Sequence, residues 1–125
     1  MIQKLETKQF THIISLGSFC SPALEIERLG MRDGSYPFDW VLSHSFEEVM
    51  ALIDNKFDDF LNESTLYQAK NKPMIYINPK HNIVFIHDFS AFDSLENQFP
   101  QVLEKYNRRI SKFYQAILQP TLFLR

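Results

Sequence analysis

The sequence predicts an α+β domain in which helices pack on a small β-sheet. Short β-rich runs lie near the start, the middle and the end of the chain, and the segments between them have apolar residues at helical spacing. At 125 residues, one domain spanning residues 1–125 with a modest core is the default. Twelve phenylalanines indicate that aromatic packing dominates the interior.

Strand and helix signals alternate in the first part of the chain. Residues 12–16 are predicted to form a strand and residues 21–29 a helix, with a break at Gly17 and Ser18. Cys20 therefore lies at a helix N-terminus, where unpaired backbone N–H groups and the helix dipole stabilise a thiolate. A cysteine is also a common small apolar core residue, so its position leaves both a catalytic and a structural role open.

The next segment combines a loop with a well-marked helix start. Residues 31–44 contain turn-forming residues and are predicted to form a loop. Ser45 and Glu48 have the spacing of a capping box and predict a helix that starts there. One further helical turn is expected over residues 57–61, followed by an exposed polar segment over residues 62–72.

A hairpin, a long helix and a last strand are predicted in the second half. Residues 74–78 and 83–89 are β-rich runs joined by a four-residue turn. Apolar residues at helical spacing predict a helix from about residue 100 to residue 119, with Pro100 in its first turn. Residues 121–125 have the composition of a strand, and because the sequence stops there we expect a domain truncated at its C-terminal end.

Composition and charge exclude several functional classes. The formal net charge is −2 and no long run has one sign, so we expect no binding to nucleic acid. No apolar run approaches the ~20 residues needed to span a bilayer, and the N-terminal segment MIQKLETKQF lacks the apolar core of a signal peptide. One cysteine allows no internal disulfide, which favours a cytoplasmic location.

The sequence contains no motif that predicts a bound metal or cofactor. The chain lacks a Cys-x-x-Cys or His-x-x-x-His motif, and its scattered histidines have no ligand spacing, so no metal is expected. Gly17 is an isolated glycine after the first strand, which is neither a phosphate loop nor a dinucleotide fingerprint. We therefore expect no cofactor.

Thiol chemistry at Cys20 needs a base, and an imidazole that titrates near neutrality is the usual choice. His87 is the candidate because it ends the apolar run IVFIH, where an inward polar side chain needs a specific reason. An edge-strand histidine that faces water is the alternative. His12, His44 and His81 are expected to be solvated or structural.

An aspartate or asparagine usually holds such an imidazole in one tautomer. Asp88 is adjacent to His87, but consecutive strand side chains point to opposite faces, so Asp88 fits only if the strand ends or bulges there. Asp39 is the second candidate, although a turn aspartate that bonds its own backbone explains it equally well. The third group could also lie beyond Arg125.

Three further residues are candidates for binding the substrate or the oxyanion. The backbone N–H of Cys20 can donate to a tetrahedral intermediate, and Ser18 either adds a donor or caps the helix, the cap being favoured. Trp40 lines a cleft or packs in the core, and the core is favoured. Arg109 and its neighbour Arg108 lie about 100° apart on a helix, so at most one lies near the apolar face. An inward arginine can bind a carboxylate or phosphate, whereas the usual explanation is a surface charge that pairs with Glu104 or lies in water.

Four segments of the sequence resemble a bacterial family of unknown function, DUF1796, whose members are described as papain-like cysteine peptidases. The segments are SLGSFCSPALEIERLGMRDGSYPFDW at 15–40, FIHDF at 85–89, RRISKFYQAI at 108–117 and LFLR at 122–125. The resemblance spans nearly the whole chain. It implies a papain-like fold, Cys20 as the nucleophile, His87 as the base, and more of the domain beyond LFLR.

Three hypotheses follow for the function. The first is a cysteine hydrolase or acyltransferase that acts on a peptide, amide, thioester or glycan-linked substrate. The second is a non-catalytic domain that binds a glycan or a protein through the SYPFDW loop. The third is a nonfunctional fragment. The substrate and the oligomeric state are left open.

Overall fold

The computed structural model describes residues 10–125, so the predicted lack of a signal-peptide core falls mainly on residues 1–9, which lie outside the described residues. Within the described part, helices and strands alternate, in agreement with the predicted α+β class. The elements in chain order are β1 His12–Ser15, α1 Ser21–Arg28, β2 Val41–Ser43, α2 Phe46–Asp54, β3 Tyr67–Gln68, β4 Tyr76–Asn78, β5 Ile83–Phe85, α3 Leu95–Ala116 and β6 Thr121–Leu124.

The strands form two sheets. β1 and β6 pair in parallel, with His12 opposite Thr121 at the start of the register. The second sheet is antiparallel and has the order β2-β5-β4-β3. In it, Phe85 of β5 lies opposite Val41 on one side and Tyr76 on the other, which confirms the predicted hairpin of β4 and β5. β2 was not predicted, because a strand of three residues is too short to show a period.

The long helix α3 starts earlier than the sequence predicted. It begins at Leu95, because the hydroxyl of Ser94 accepts the backbone N–H of Asn97 at 3.1 Å and caps the helix. Pro100 therefore lies inside the helix, and its predicted place in the first turn is wrong.

The predicted start of α2 is confirmed.

The helical turn predicted over residues 57–61 is wrong. Lys56, Phe57 and Asp59 have φ values of 60°, 62° and 61°, which belong to the left-handed region. A right-handed helix cannot include them. The chain forms consecutive turns there instead, and these turns place Phe57 and Phe60 in the core.

An aromatic cluster joins α3 to the antiparallel sheet. Phe60 lies at its centre, 1% exposed, with ring centroids 5.4 Å from both Phe85 of β5 and Tyr106 of α3. Phe38 packs on another side of Phe60 with a centroid distance of 6.0 Å. The rings meet edge to face, the arrangement that aromatic quadrupoles favour. The aromatic interior expected from composition is confirmed.

Replacing Phe60 with alanine is expected to lower the free energy of unfolding by about 3–5 kcal/mol, because the substitution leaves a cavity at the centre of this cluster. Phe92 is 99% exposed and provides a matched control. Phe92→Ala is expected to change stability by less than about 0.5 kcal/mol. Urea denaturation of the two variants measures both effects, and a similar loss in both would contradict the assigned core.

Candidate active site

The turn between β1 and α1 passes very close to β2. Gly17 has a φ of +87°, and a Cβ at this position would lie 2.4 Å from Ser43 Oγ. Glycine alone fits both the conformation and the contact. The next residue, Ser18, has a φ of 49°, and its carbonyl accepts the backbone N–H of Ser43 at 2.9 Å. The turn is therefore fixed against the second sheet.

Cys20 occupies the N-cap position of α1, so the helix cap expected at Ser18 is wrong. The thiol is free and half-buried, and no side chain caps the start of the helix. The Cys20 carbonyl accepts the backbone N–H of Leu24 at 3.1 Å. The first turn of α1 thus leaves backbone N–H groups without a capping side chain near the thiol.

His87 lies two residues past the end of β5 and is exposed to solvent. Its ring is perpendicular to the ring of Trp40, and the two ring centroids lie 6.2 Å apart. Trp40 directly precedes β2, and the pairing of β2 with β5 brings these two rings together. Across residues 10–125, no hydrogen bond joins the Cys20 thiol to His87 or to any other imidazole.

Asp39 is buried beside Trp40 and is 2% exposed. Its carboxylate accepts the backbone N–H of Tyr36 at 3.0 Å and a guanidinium N–H of Arg32 at 3.4 Å. The Arg32 guanidinium also lies over the Trp40 ring, 4.7 Å from its centroid. Asp39 is therefore linked to the His87 ring through Arg32 and Trp40, and it also makes a local turn bond.

Burial raises the pKa of Asp39 to about 6, although the Tyr36 N–H, Arg32 and Arg109 all act to lower it. A carboxyl group in this environment titrates near the working range of many enzymes.

Sequence reasoning did not identify Arg32, because its two partners, Asp39 and Trp40, follow it by seven and eight residues in an irregular loop that gives no periodic signal.

Asp88 bonds to α3. Its carboxylate accepts the ammonium N–H of Lys105 and the hydroxyl of Tyr106, the latter at 2.6 Å. Burial, followed by the neighbouring Asp88, raises the pKa of Tyr106 well above its usual value. These bonds fix the loop that contains His87 against the helix.

Arg109 is half-buried, and its guanidinium lies 5.0 Å from the centroid of the Tyr106 ring. Its Nη1 atom is buried and has no hydrogen-bond partner within the part of the chain that the structure describes. The neighbouring Arg108 is exposed and pairs with Glu104 at 2.9 Å. This difference agrees with the 100° spacing, which places one arginine inward and the other in solvent.

The remaining histidines have structural or solvent-exposed positions, as the sequence predicted. His12 bonds to Asp33 at 2.6 Å, and His44 is exposed before the cap of α2. His81 is buried in the β4–β5 turn, where its Nδ1 bonds to Glu48 at 2.8 Å.

Two structural findings bear on metals and membranes. Among residues 10–125, no group of three His, Cys, Asp or Glu side chains is placed to hold a metal ion. No helix in the same range is long and apolar enough to cross a bilayer.

The contribution of Asp39 to stability is expected to fall as the pH rises from 3.8 to about 6, because Asp39 has its raised pKa only in the folded state. In this window the folded protein binds the Asp39 proton more tightly than the unfolded chain does, so unfolding becomes easier as that proton is lost. Two pKa units correspond to a loss of up to about 3 kcal/mol.

Urea denaturation at several pH values measures this effect in the wild type and in Asp39→Asn. Asparagine keeps an acceptor oxygen for Tyr36 and Arg32 but does not titrate. The difference in unfolding free energy between the two proteins should therefore change across the window and level off above it. A difference that stays constant with pH would contradict the assigned pKa.

Comparison with known proteins finds one family and one curated relative that resemble this chain. A curated relative, an uncharacterized protein of Acanthamoeba polyphaga mimivirus, is 32% identical over 123 residues; the match covers 83% of this chain and 55% of the relative. The chain thus spans about half the length of this relative. Because the relative is viral, it does not support the expected bacterial origin. No solved structure gives a significant match.

The family model described as "Putative papain-like cysteine peptidase (DUF1796)" matches residues 11–125. The match includes the whole described region except Phe10, and with it both sheets and all three of the helices given above. It confirms the resemblance seen in the sequence: the chain belongs to the DUF1796 family.

Proposed function

We propose that this chain is a papain-like, thiol-dependent hydrolase or acyltransferase in which Cys20 attacks a peptide, amide or thioester carbonyl. The observation that supports it best is the position of the thiol. Cys20 is free and partly accessible at the N-cap of α1, where no side chain occupies the helix end. Helix N-termini are a common position for nucleophilic cysteines in enzymes, because the unpaired backbone N–H groups there can bind an anion.

His87 is proposed as the general base and acid. Its imidazole is exposed past the end of β5, and among the described residues no hydrogen bond occupies either ring nitrogen. The contact with Trp40 limits the orientation of the ring. Catalytic contacts are often long before substrate binds, so the missing bond to Cys20 is compatible with this role.

The proposed reaction proceeds in two balanced steps. The Cys20 proton passes to His87, the sulfur bonds to the carbonyl carbon, and the leaving amine or thiol departs with the proton from the imidazolium. Water, or another nucleophile in an acyl transfer, then gives its proton to His87 and cleaves the acyl thioester, which restores the thiol. The backbone N–H of Cys20 and the Ser18 hydroxyl are the proposed oxyanion donors.

The acidic residues are proposed to act as positioning residues. Asp39 fixes Arg32, Arg32 stacks on Trp40, and Trp40 contacts His87. Asp88 fixes the backbone next to His87 through its bonds to α3. A reducing compartment such as the cytoplasm would keep Cys20 as a thiol, and we propose that location on this ground.

A non-catalytic binding domain is the second candidate. The absence of a bond between Cys20 and His87 favours it, as does the partial exposure of Trp40 in the SYPFDW loop. Aromatic side chains with one open face are suited to bind glycans or protein surfaces. In that case Cys20→Ser would leave ligand binding unchanged.

Alkylation kinetics test the proposed pair. Iodoacetamide is expected to label Cys20 at pH 7 about tenfold faster in the folded protein than in the urea-unfolded chain, because the proposed mechanism uses the thiolate as nucleophile and iodoacetamide reacts with that form. His87→Ala should remove most of this excess rate. His44→Ala is the matched control, since His44 is also an exposed histidine next to an element of secondary structure, and it should label at the wild-type rate.

Labelling of the folded protein at or below the rate of the unfolded chain would contradict the proposed nucleophile. Equal losses in the His87 and His44 variants would contradict the proposed base.

A further inference from the structure

Helix α3 has four cationic side chains on one of its faces. Lys105, Arg108, Arg109 and Lys112 are spaced by three, one and three residues, which places them within a sector of about 100° around the helix, with Arg109 at its inner edge and Arg108 at its outer edge. Together with Ser35, they line an open depression of about 340 Å³. We call this feature the cationic groove.

Nearby carboxylates neutralise only part of this charge. Lys105 pairs with Asp88, and Arg108 pairs with Glu104. No carboxylate within residues 10–125 lies within ion-pair distance of the two other cations in the groove, Arg109 and Lys112.

Asp39 and Asp33 interact electrostatically with these two cations, but their carboxylates form hydrogen bonds with other groups. Arg109 contributes to lowering the pKa of Asp39, whose carboxylate bonds to Arg32 and Tyr36. The carboxylate of Asp33 likewise bonds to other groups, the Tyr36 hydroxyl and a histidine. The groove therefore has a local excess of positive charge, although the whole chain is slightly acidic.

The inner arginine has an unused donor. Arg109 Nη1 is buried and has no hydrogen-bond partner within the described chain. A guanidinium N–H that has lost water without gaining an acceptor is costly. Arg109 therefore has a hydrogen-bonding capacity that the described chain does not use, and its side chain is one of those that line the groove.

Aromatic rings and a glycine hold the cations in place before any ligand binds. The Arg109 guanidinium lies 5.0 Å from the Tyr106 ring, and Lys112 Nζ lies 5.3 Å from the Tyr36 ring. A Cβ at Gly34 would lie only 1.7 Å from Lys112 Nζ, so the glycine provides the space that this side chain occupies. Groups that are already ordered lose less entropy when they bind a ligand.

We propose that the cationic groove is a binding site for the phosphate group of a small soluble molecule. A dianionic phosphate offers several acceptor oxygens, which suit two guanidinium groups and two ammonium groups better than a single carboxylate does. The groove is short and the rest of the chain is not basic, which favours a small ester over a polyanion. This inference goes beyond the proposed function, since it requires no chemistry at Cys20.

The position of the groove relates it to the proposed catalytic residues. Asp88 bonds to Lys105 and directly follows His87 in the chain. A phosphate bound in the groove would therefore lie beside the loop that contains the proposed base, where it could belong to a substrate or to a regulator.

Isothermal titration calorimetry of the full chain with inorganic phosphate tests the proposal at pH 7.5 and constant ionic strength. We expect saturable binding, and we expect Arg109→Gln to weaken it at least about tenfold, a loss in the range of one charge-assisted hydrogen bond. Arg108→Gln should weaken it by about threefold, because this exposed guanidinium lines the outer part of the groove.

Arg28→Gln is the matched control, since it removes one positive charge from an exposed ion pair on α1. It should leave the affinity within about twofold of the wild type. If Arg109→Gln does not fold, Arg108→Gln decides the test. Acetate at the same ionic strength should bind at least about tenfold more weakly than phosphate.

Absence of saturable phosphate binding would overturn the proposal, as would equal weakening in the Arg28 and groove variants. Acetate binding as tight as phosphate binding would overturn the phosphate assignment. The same titration of Cys20→Ser should match the wild type, so a failure of the proposed catalysis and a failure of this site give different results.

Discussion

The close approach of the β1–α1 turn to β2 is the contact on which the arrangement of the candidate site depends. The backbone bond from Ser43 to Ser18 and the space left by Gly17 join the two sheets at this point. Arg125 reinforces the junction, since its guanidinium donates to the carbonyl of Leu16 and to Ser43. The turn that contains the thiol is thereby fixed to the sheet whose β2–β5 pairing brings Trp40 and His87 together.

Helix α3 links the core of the domain to the surface beside the proposed base. Its apolar face packs Tyr106 into the aromatic cluster, while the hydroxyl of the same residue bonds to Asp88. The adjoining face has the cations of the groove, and Lys105 shares the Asp88 carboxylate. One helix thus contributes to the core, to the position of the His87 loop and to a local positive field, because its three to four residues per turn separate these faces.

The sequence predicted part of the candidate site and missed the rest for identifiable reasons. The start of α1 at Cys20 was predictable, because the break after the first strand and the helical spacing that follows are local signals. The link from Arg32 through Trp40 to His87 was not, because it joins two irregular loops. The spacing from Lys105 to Lys112 was available in the sequence and would have identified the basic face of α3.

The sequence by itself determined the elements that local chemistry specifies: β1, the helix α1, the capped helix α2, the β4–β5 hairpin and the strand β6. Only the tertiary structure decided the strand β2, the left-handed turns around Phe57 and the bonds of Asp88 to α3. The physical reason is the range of the interactions. Periodicity and capping act within a few residues, whereas a three-residue strand, a strained turn or a buried carboxylate is stabilised by partners that are distant in the chain.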